Sequence, residues 1–195
     1  DYPNITVVIA DASNLRRSIF LLTQIIDLNM TVVLALNMVD IATKKGLIVD
    51  VNLLKQQLGI PVVAINARKG QGIDTLKKTI IDTIDKKPAS PFLDIAQLFK
   101  GVLEKANKIR GIENNFASFL ALCKQKLSGE THNRCALNQL CKKEDIIPER
   151  AQAKETVNRY AKIDKIINLV VKKGKPIGKY MLTKKIDDIL IHPVL

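Results

Sequence analysis

The sequence predicts an α/β fold in its first half, a partial parallel sheet with crossover helices, and an all-α second half. Three observations predict it. Short aliphatic runs at residues 5–10, 31–36 and 61–65 alternate with stretches whose apolar residues recur at helical spacing. Strand–helix alternation of this kind builds parallel βαβ units with right-handed crossovers. The segment Lys86-Lys87-Pro88-Ala89-Ser90-Pro91 then joins charge, two prolines and small residues, the composition of a boundary, and every periodic stretch after it is helical.

Taken in order, the run at residues 5–10 is a strand closing on Asp11. Ser13 or Asn14 caps a helix reaching about Leu28, with Leu15, Ile19, Leu22 and Ile26 along one face. Residues 31–36 make the second strand. A short helix runs from Met38 to Lys45, Gly46 breaks it, and Asp50 starts another through Leu58 with Leu53, Leu54 and Leu58 inward. Residues 61–65 are the third strand, and residues 73–84 a helix with Leu76, Ile80 and Ile84 on one face. Past the boundary, residues 92–110 read as one amphipathic helix carrying Leu93, Ala96, Phe99, Val102 and Leu103. Residues 116–127 form the next helix, 128–134 a polar stretch and 135–142 a short helix. Pro148 opens a single long helix over residues 150–172. Residues 174–178 are a turn, and Thr183 caps a last short helix that Pro193 ends.

With 195 residues the chain makes one ordinary domain or two small ones, and 47% hydrophobic residues are enough for a core. At 4% aromatic residues and no Trp, that core is expected to be aliphatic. A net charge of +12 favours an acidic partner: nucleic acid, an anionic membrane surface or a nucleotide. Three cysteines, an odd number, argue against a disulfide scaffold and fit a reducing compartment. Cys123, Cys135, Cys141 and His132 match no compact metal-ligand spacing, so no metal site is assigned. No run reaches the roughly 18 apolar residues of a membrane helix, and no signal peptide opens the chain. The expectation is a soluble chain cut at both ends.

The chemistry concentrates at Asn37-Met38-Val39-Asp40, just past the carboxyl end of the second strand, where open α/β sheets bind ligands. A carboxylate at Asp40 accepts two hydrogen bonds from N1–H and the exocyclic amine of guanine; adenine offers no such pair of donors. The Asn37 amide offers a donor and an acceptor, to the base edge or to a neighbouring loop. A bland alternative is a helix N-terminus with Asp40 in its first turn. One strand–helix–strand unit later, Asn66-Ala67-Arg68-Lys69-Gly70-Gln71-Gly72 forms a tight loop. Small Ala67 lets its backbone N–H approach a base oxygen, and Gly70 and Gly72 permit angles that other residues avoid.

These motifs, with the run Asp11-Ala12-Ser13-Asn14-Leu15-Arg16-Arg17, resemble the bacterial ferrous-iron transport protein B (FeoB) family. The resemblance resumes at Arg159-Tyr160-Ala161-Lys162-Ile163-Asp164-Lys165-Ile166 and at Leu182-Thr183-Lys184-Lys185-Ile186-Asp187-Asp188-Ile189-Leu190-Ile191-His192. The family usually has Ser or Thr where this chain has Asn66. The resemblance implies a partial parallel-sheet GTPase domain of the P-loop NTPase kind over residues 1–87, a helical regulatory domain over 88–173 that restrains nucleotide release, and a membrane-proximal linker over 174–195. It implies a GTP/GDP site on Asn37, Met38, Asp40, Asn66, Ala67 and Arg68, with the Met38 stem packed on the base. It also implies partners in the rest of the GTPase domain and a transmembrane iron-permease domain, at the cytoplasmic face of the bacterial inner membrane, with a homo-oligomer open.

The phosphate cradle G-x-x-x-x-G-K-[S/T] is not in this sequence; Gly174-Lys175-Pro176-Ile177-Gly178-Lys179-Tyr180 is one residue short between its glycines and has Tyr for the magnesium-binding hydroxyl. No Asp-x-x-Gly follows a strand either, so Mg2+ belongs with the missing half, and the chain is expected to be inactive alone. The resemblance further implies that the strand at residues 5–10 loses its central partner and becomes an edge with an apolar face uncovered. Lysines 172, 173, 175, 179, 184 and 185 suit an anionic lipid surface. The competing readings are a basic helical module binding nucleic acid or another partner, disfavoured by scarce aromatics, and a degenerate GTPase-like domain of another family.

Overall fold

The computed structural model describes residues 3–123 and 131–176. Strand β1 (Thr6–Asp11) leads through a 3-10 turn (Ala12–Asn14) into α1 (Leu15–Asp27), followed by β2 (Val32–Asn37), α2 (Val39–Lys44), β3 (Leu47–Val49), α3 (Val51–Leu58) and β4 (Val62–Ala64). A second 3-10 turn (Ala67–Lys69) precedes α4 (Ile73–Ile81). Then come α5 (Ile95–Leu98), α6 (Val102–Arg110), α7 (Asn115–Cys123), α8 (Thr131–Lys143), α9 (Pro148–Val170) and β5 (Val171–Lys173).

The main sheet is parallel in the order β1-β2-β4, with Ile9 opposite Ala35 and Ala35 opposite Val63. β2 is central, and its first five residues are buried on both faces, which is why they read as an unbroken aliphatic run. One face is covered by Leu15, Ile19, Leu22 and Ile26 of α1, by Leu54 and Leu58 of α3, and by Ile163, Ile166 and Val170 of α9. On the other face α4 sets Ile73 and Leu76 over Ala35, Val63 and Ile65. That cover stops short of β1. Its outer residues Val7 and Ile9 are 37% and 68% exposed, and among the described residues no strand pairs with the outer side of β1, as the resemblance implied.

The structure differs from the sequence reading at several elements. Residues 92–110 are not one helix: α5 ends at Leu98, and Gly101, at a φ of +74°, caps a separate α6. α4 ends at Ile81 rather than at residue 84, leaving Ile81 and Ile84 exposed. Neither Ser13 nor Asn14 caps α1 by a side-chain bond; Asp11 instead accepts from the Ser13 amide at 2.7 Å and turns the chain. The short strands β3 and β5, invisible to periodicity, pair antiparallel, so the long helix ends at Val170 and not at Lys172. The second hydrophobic cluster is not purely aliphatic: Phe99, Phe116 and Phe119 stack within it, with ring centroids 5.2 and 6.1 Å apart. The end of the helix expected at 116–127, the helix capped by Thr183, Lys179, Lys184, Lys185 and His192 lie outside the described residues.

α9 reaches both clusters, and a buried ion network marks the crossing. Arg159 is fully buried; its Nη2 lies 2.7 Å from Asp27 Oδ2 at the end of α1, and its Nε 2.6 Å from Glu155 Oε1. Asp27 Oδ1 accepts from the amides of Phe92 at 2.5 Å and Leu93 at 3.2 Å. The Arg159 guanidinium also sits 4.9 Å from the centroid of Phe116. Burial pushes the Asp27 carboxyl above its ordinary value, while the charge and hydrogen bond of Arg159 and the two amides pull it back. Outside this core Arg16 makes a bidentate pair with Asp164, at 2.6 and 3.0 Å, and lies 4.2 Å over Tyr160, whose ring stacks on Phe20 at 4.7 Å. The Arg16 guanidinium holds the Asp164 carboxyl below its usual range.

Replacing Arg159 by Met strands two buried carboxylates, and urea denaturation of the variant is expected to show a loss of about 3–5 kcal/mol. Without the opposing charge Asp27 rises further above its unfolded value, so protonation favours the folded variant. The gap between the two urea midpoints therefore narrows as the pH is lowered from 7 toward 5 and widens as it rises; a pH-independent gap would contradict this account.

Candidate guanine-base cleft

The site is built where β2 and β4 end. Asn37 closes β2, and Met38 then adopts φ +60° and ψ +29°, a left-handed turn rare for a side chain of its size. That single residue redirects the chain so that α2 begins at Val39 with Asp40 exposed in its first turn. On β4's side the Ile65 amide donates to Leu36 O at 2.8 Å, carrying the register one residue past the strand and setting Asn66 beside the end of β2.

Asn66 organises the second loop. Its amide donates to Gln71 O at 2.9 Å and its carbonyl accepts from Gln71 N at 3.2 Å, closing the loop on itself. Its side-chain Oδ1 accepts from the Lys69 amide at 3.2 Å, the bond that a Ser or Thr hydroxyl makes at a helix N-cap. Asn66 therefore gives this loop the cap that a Ser or Thr would give it. Gly72, at φ +79°, has no alternative: a Cβ there would lie 2.4 Å from Ala64 O.

The two loops are tied directly. Asn37 Oδ1 accepts from the Ala67 amide at 3.3 Å, so Asn37 braces the neighbouring loop, and the Ala67 N–H points at Asn37. Between the loops lies a cleft of about 590 Å³ lined by Asn37, Met38, Asp40, Asn66 and Arg68, with Ile41, Lys44 and Lys69 completing the wall. Five of the six residues singled out in the sequence line this cleft; Ala67 does not, and its N–H, expected to approach a base oxygen, is given to Asn37 instead. Sequence reasoning missed Ile41, Lys44 and Lys69; Lys44 was reachable, being one helical turn after Asp40 on α2. One acceptor carboxylate among three cations, beside an exposed thioether, suits a flat polar ring with paired donors on one edge and an anionic remainder.

In a second cleft four polar side chains are already engaged. A cleft of about 470 Å³ between α1, α5 and α7 includes Asp27, Asp94, Asn114 and Asn115. Asp27 serves Arg159, Asp94 caps α5, Asn114 caps α7 and Asn115 accepts from Asn107. Burial pushes the Cys123 thiol up to about 12 and raises Cys141, so neither is a ready nucleophile or ligand. Among the described residues no group of three or more His, Cys, Asp or Glu is placed to hold a metal ion.

Comparison with known proteins bears on the fold. Residues 1–80 match the family described as Ferrous iron transport protein B. The Fe(2+) transporter FeoB of Legionella pneumophila (strain Paris) is 29% identical over 195 residues, covering 96% of this chain and 25% of that protein. The chain therefore spans about a quarter of the length of the curated relatives it matches. The cytosolic domain of L. pneumophila FeoB superposes with a TM-score of 0.70 at 27% identity, over 89% of this chain and 70% of that one. A point mutant of S. thermophilus NFeoB bound to GMPPNP superposes with a TM-score of 0.65 at 26% identity, over 80% of this chain and 66% of that one. The parallel sheet with its helices is the fold of those cytosolic regions.

Replacing Asn66 by Ala removes the side-chain bond to the Lys69 amide and leaves that amide its 3.1 Å bond to Asn66 O. The loop amide of Lys69 should exchange with solvent faster, with a loss of about 0.5–2 kcal/mol in stability, while Asn66→Ser retains most of both. Amide exchange and urea midpoints of the two variants check this; equal behaviour of Ala and Ser would remove Asn66 from its loop-setting role.

Proposed function

We propose, from a similarity to FeoB that runs along nearly the whole chain, that this chain is the guanine-reading part of the cytosolic GTP-binding region of a ferrous-iron transporter. The observation that carries the reading is the convergence of Asn37, Asp40 and the Asn66–Arg68 loop on one cleft at the carboxyl edge of a parallel sheet. Asp40 accepts from N1–H and the exocyclic amine of guanine. Met38, 41% exposed and fixed by its left-handed backbone, lays its flexible thioether on the ring. Asn37 holds the second loop in place, and Lys44, Arg68 and Lys69 bias the cleft toward an anionic ligand.

The phosphates and Mg2+ are left to the rest of a GTPase domain, which we place against β1. Among the described residues that edge is unpaired and its outer face, Val7 and Ile9, is uncovered, so a further parallel strand there continues the sheet and buries it. The helical part from residue 88 restrains nucleotide release and faces a transmembrane permease domain at the inner membrane's cytoplasmic side. No helix among the described residues is long and apolar enough to cross a membrane. Hydrolysis is assigned to no side chain of this chain.

Titration with fluorescent GDP of the protein carrying its complete GTPase domain tests the reading. Asp40→Ala removes two charge-assisted hydrogen bonds, and a fall in affinity of about 10-fold or more is expected. Asp40→Asn should shift preference toward xanthine nucleotides, whose O2 accepts where guanine's amine donates. Unchanged GDP affinity in both variants would assign the cleft to another ligand.

A further inference from the structure

The pairing of β3 with β5 joins the guanine-base cleft to the chain that leaves α9. Leu47, Ile48 and Val49 lie opposite Lys173, Lys172 and Val171. Two backbone bonds close the ribbon at its ends: the Gly174 amide donates to Gly46 O at 2.7 Å, and the Asp50 amide to Val170 O at 2.8 Å. Gly46 is buried at φ +78°, and a Cβ on it would lie 2.5 Å from Gly174 O and 3.0 Å from Pro176 N. The backbone at Gly174–Pro176 therefore runs directly over Gly46.

Gly46 is itself the end of α2. Its amide donates to Thr43 O at 2.9 Å, and the Lys45 amide to Ile41 O at 3.0 Å, so Asp40 and Gly46 are opposite ends of one hydrogen-bonded piece of six residues and a turn. The base cleft takes Asp40, Ile41 and Lys44 from this piece; β5 takes Gly46 and the strand after it. The ribbon is short. Both of its strands are three residues long; Lys172, Lys173 and Ile48 face out, while Leu47, Val49 and Val171 rest on the main core. A two-stranded ribbon of this length opens as a local event that uncovers those three side chains.

We propose that the β3–β5 ribbon is a latch coupled to the guanine-base cleft. A base held by Asp40 orders α2 and keeps β5 paired; release of β5 frees Gly46 and the end of α2, and the nucleotide leaves faster. Coupling of this kind is reciprocal: whatever acts on the chain beyond Pro176 changes nucleotide affinity, and nucleotide changes how firmly that chain is held. The inference rests on the base-cleft reading and adds to it the element that transmits its state.

The test uses the protein with its complete GTPase domain. Amide hydrogen exchange at Gly174 and Asp50 is measured with and without GDP, with the Ile112 amide, bonded to Asn107 O in a distant turn, as the reference. Release of fluorescent GDP is then timed for Gly46→Ala and Gly174→Ala. The latter is a matched control, because a Cβ on Gly174 meets nothing closer than 3.7 Å. GDP is expected to slow exchange at Gly174 and Asp50 but not at Ile112. Gly46→Ala is expected to speed GDP release by about 5–150-fold, the range of ordinary coupling energies, and Gly174→Ala to leave it unchanged. If Gly46→Ala does not fold, the exchange comparison on the unmodified protein decides alone. GDP binding that depends on Asp40 while Gly174 and Asp50 exchange at unchanged rates overturns the latch and leaves the base cleft standing. Failure to bind GDP overturns both.

Discussion

Arg159 brings a full positive charge into a place without water, and the arrangement of the two hydrophobic clusters follows from how that charge is met. A buried guanidinium is tolerable only with counter-charges close by. Glu155 supplies one from the same helix, one turn earlier; Asp27 supplies the other from the far end of α1. Because Asp27 also takes the amides of Phe92 and Leu93, the segment following the prolines is fixed to the same point. Four pieces of chain (α1, the segment at Phe92, α7 through Phe116, and α9) thus meet on one charge. Small relative movements there break several bonds at once, so the helical part is set at a defined angle to the sheet.

The base cleft depends on that frame less than on the sheet. Parallel strands of unequal length deliver Asn37 and Asn66 side by side, and two local conformations finish the work: the left-handed turn at Met38 and the Asn66 cap. Each is short-range, and neither needs the helices. The helices enter through α9, which lies on α1 and α3 and hands the chain to β5. The cleft and the exit of the chain are separated by the length of α2, close enough for one to sense the other mechanically.

Much of this was legible in advance because it is written in local patterns. The aliphatic runs of β1, β2 and β4 and the Asp50 cap follow from period and composition, and five of the six residues singled out for the site, all but Ala67, line one cleft. The two resembling segments, Asp11 to Arg17 and Arg159 to Ile166, are far apart in sequence, and the structure brings them together: Arg16 pairs with Asp164 and lies over Tyr160. What escaped was set by distant partners. β3 and β5 are too short to show alternation and exist only because each supplies the other's hydrogen bonds. The break at Gly101 was hidden inside a stretch whose apolar spacing is helical on both sides of it.

The sequence by itself determined the class of fold, the strand ends at which polar residues gather, and the donor and acceptor set at Asn37, Asp40 and Asn66, since these depend on side chains within a few positions of one another. Tertiary structure alone decided that Asp27 and Arg159 are a buried pair, that Phe99, Phe116 and Phe119 stack among the aliphatic side chains of the second cluster, and that the chain leaving α9 runs over Gly46. Each of these is a contact between residues far apart in the chain, and a hydrogen bond, ion pair or ring stack between such residues leaves no period in the sequence on either side of it.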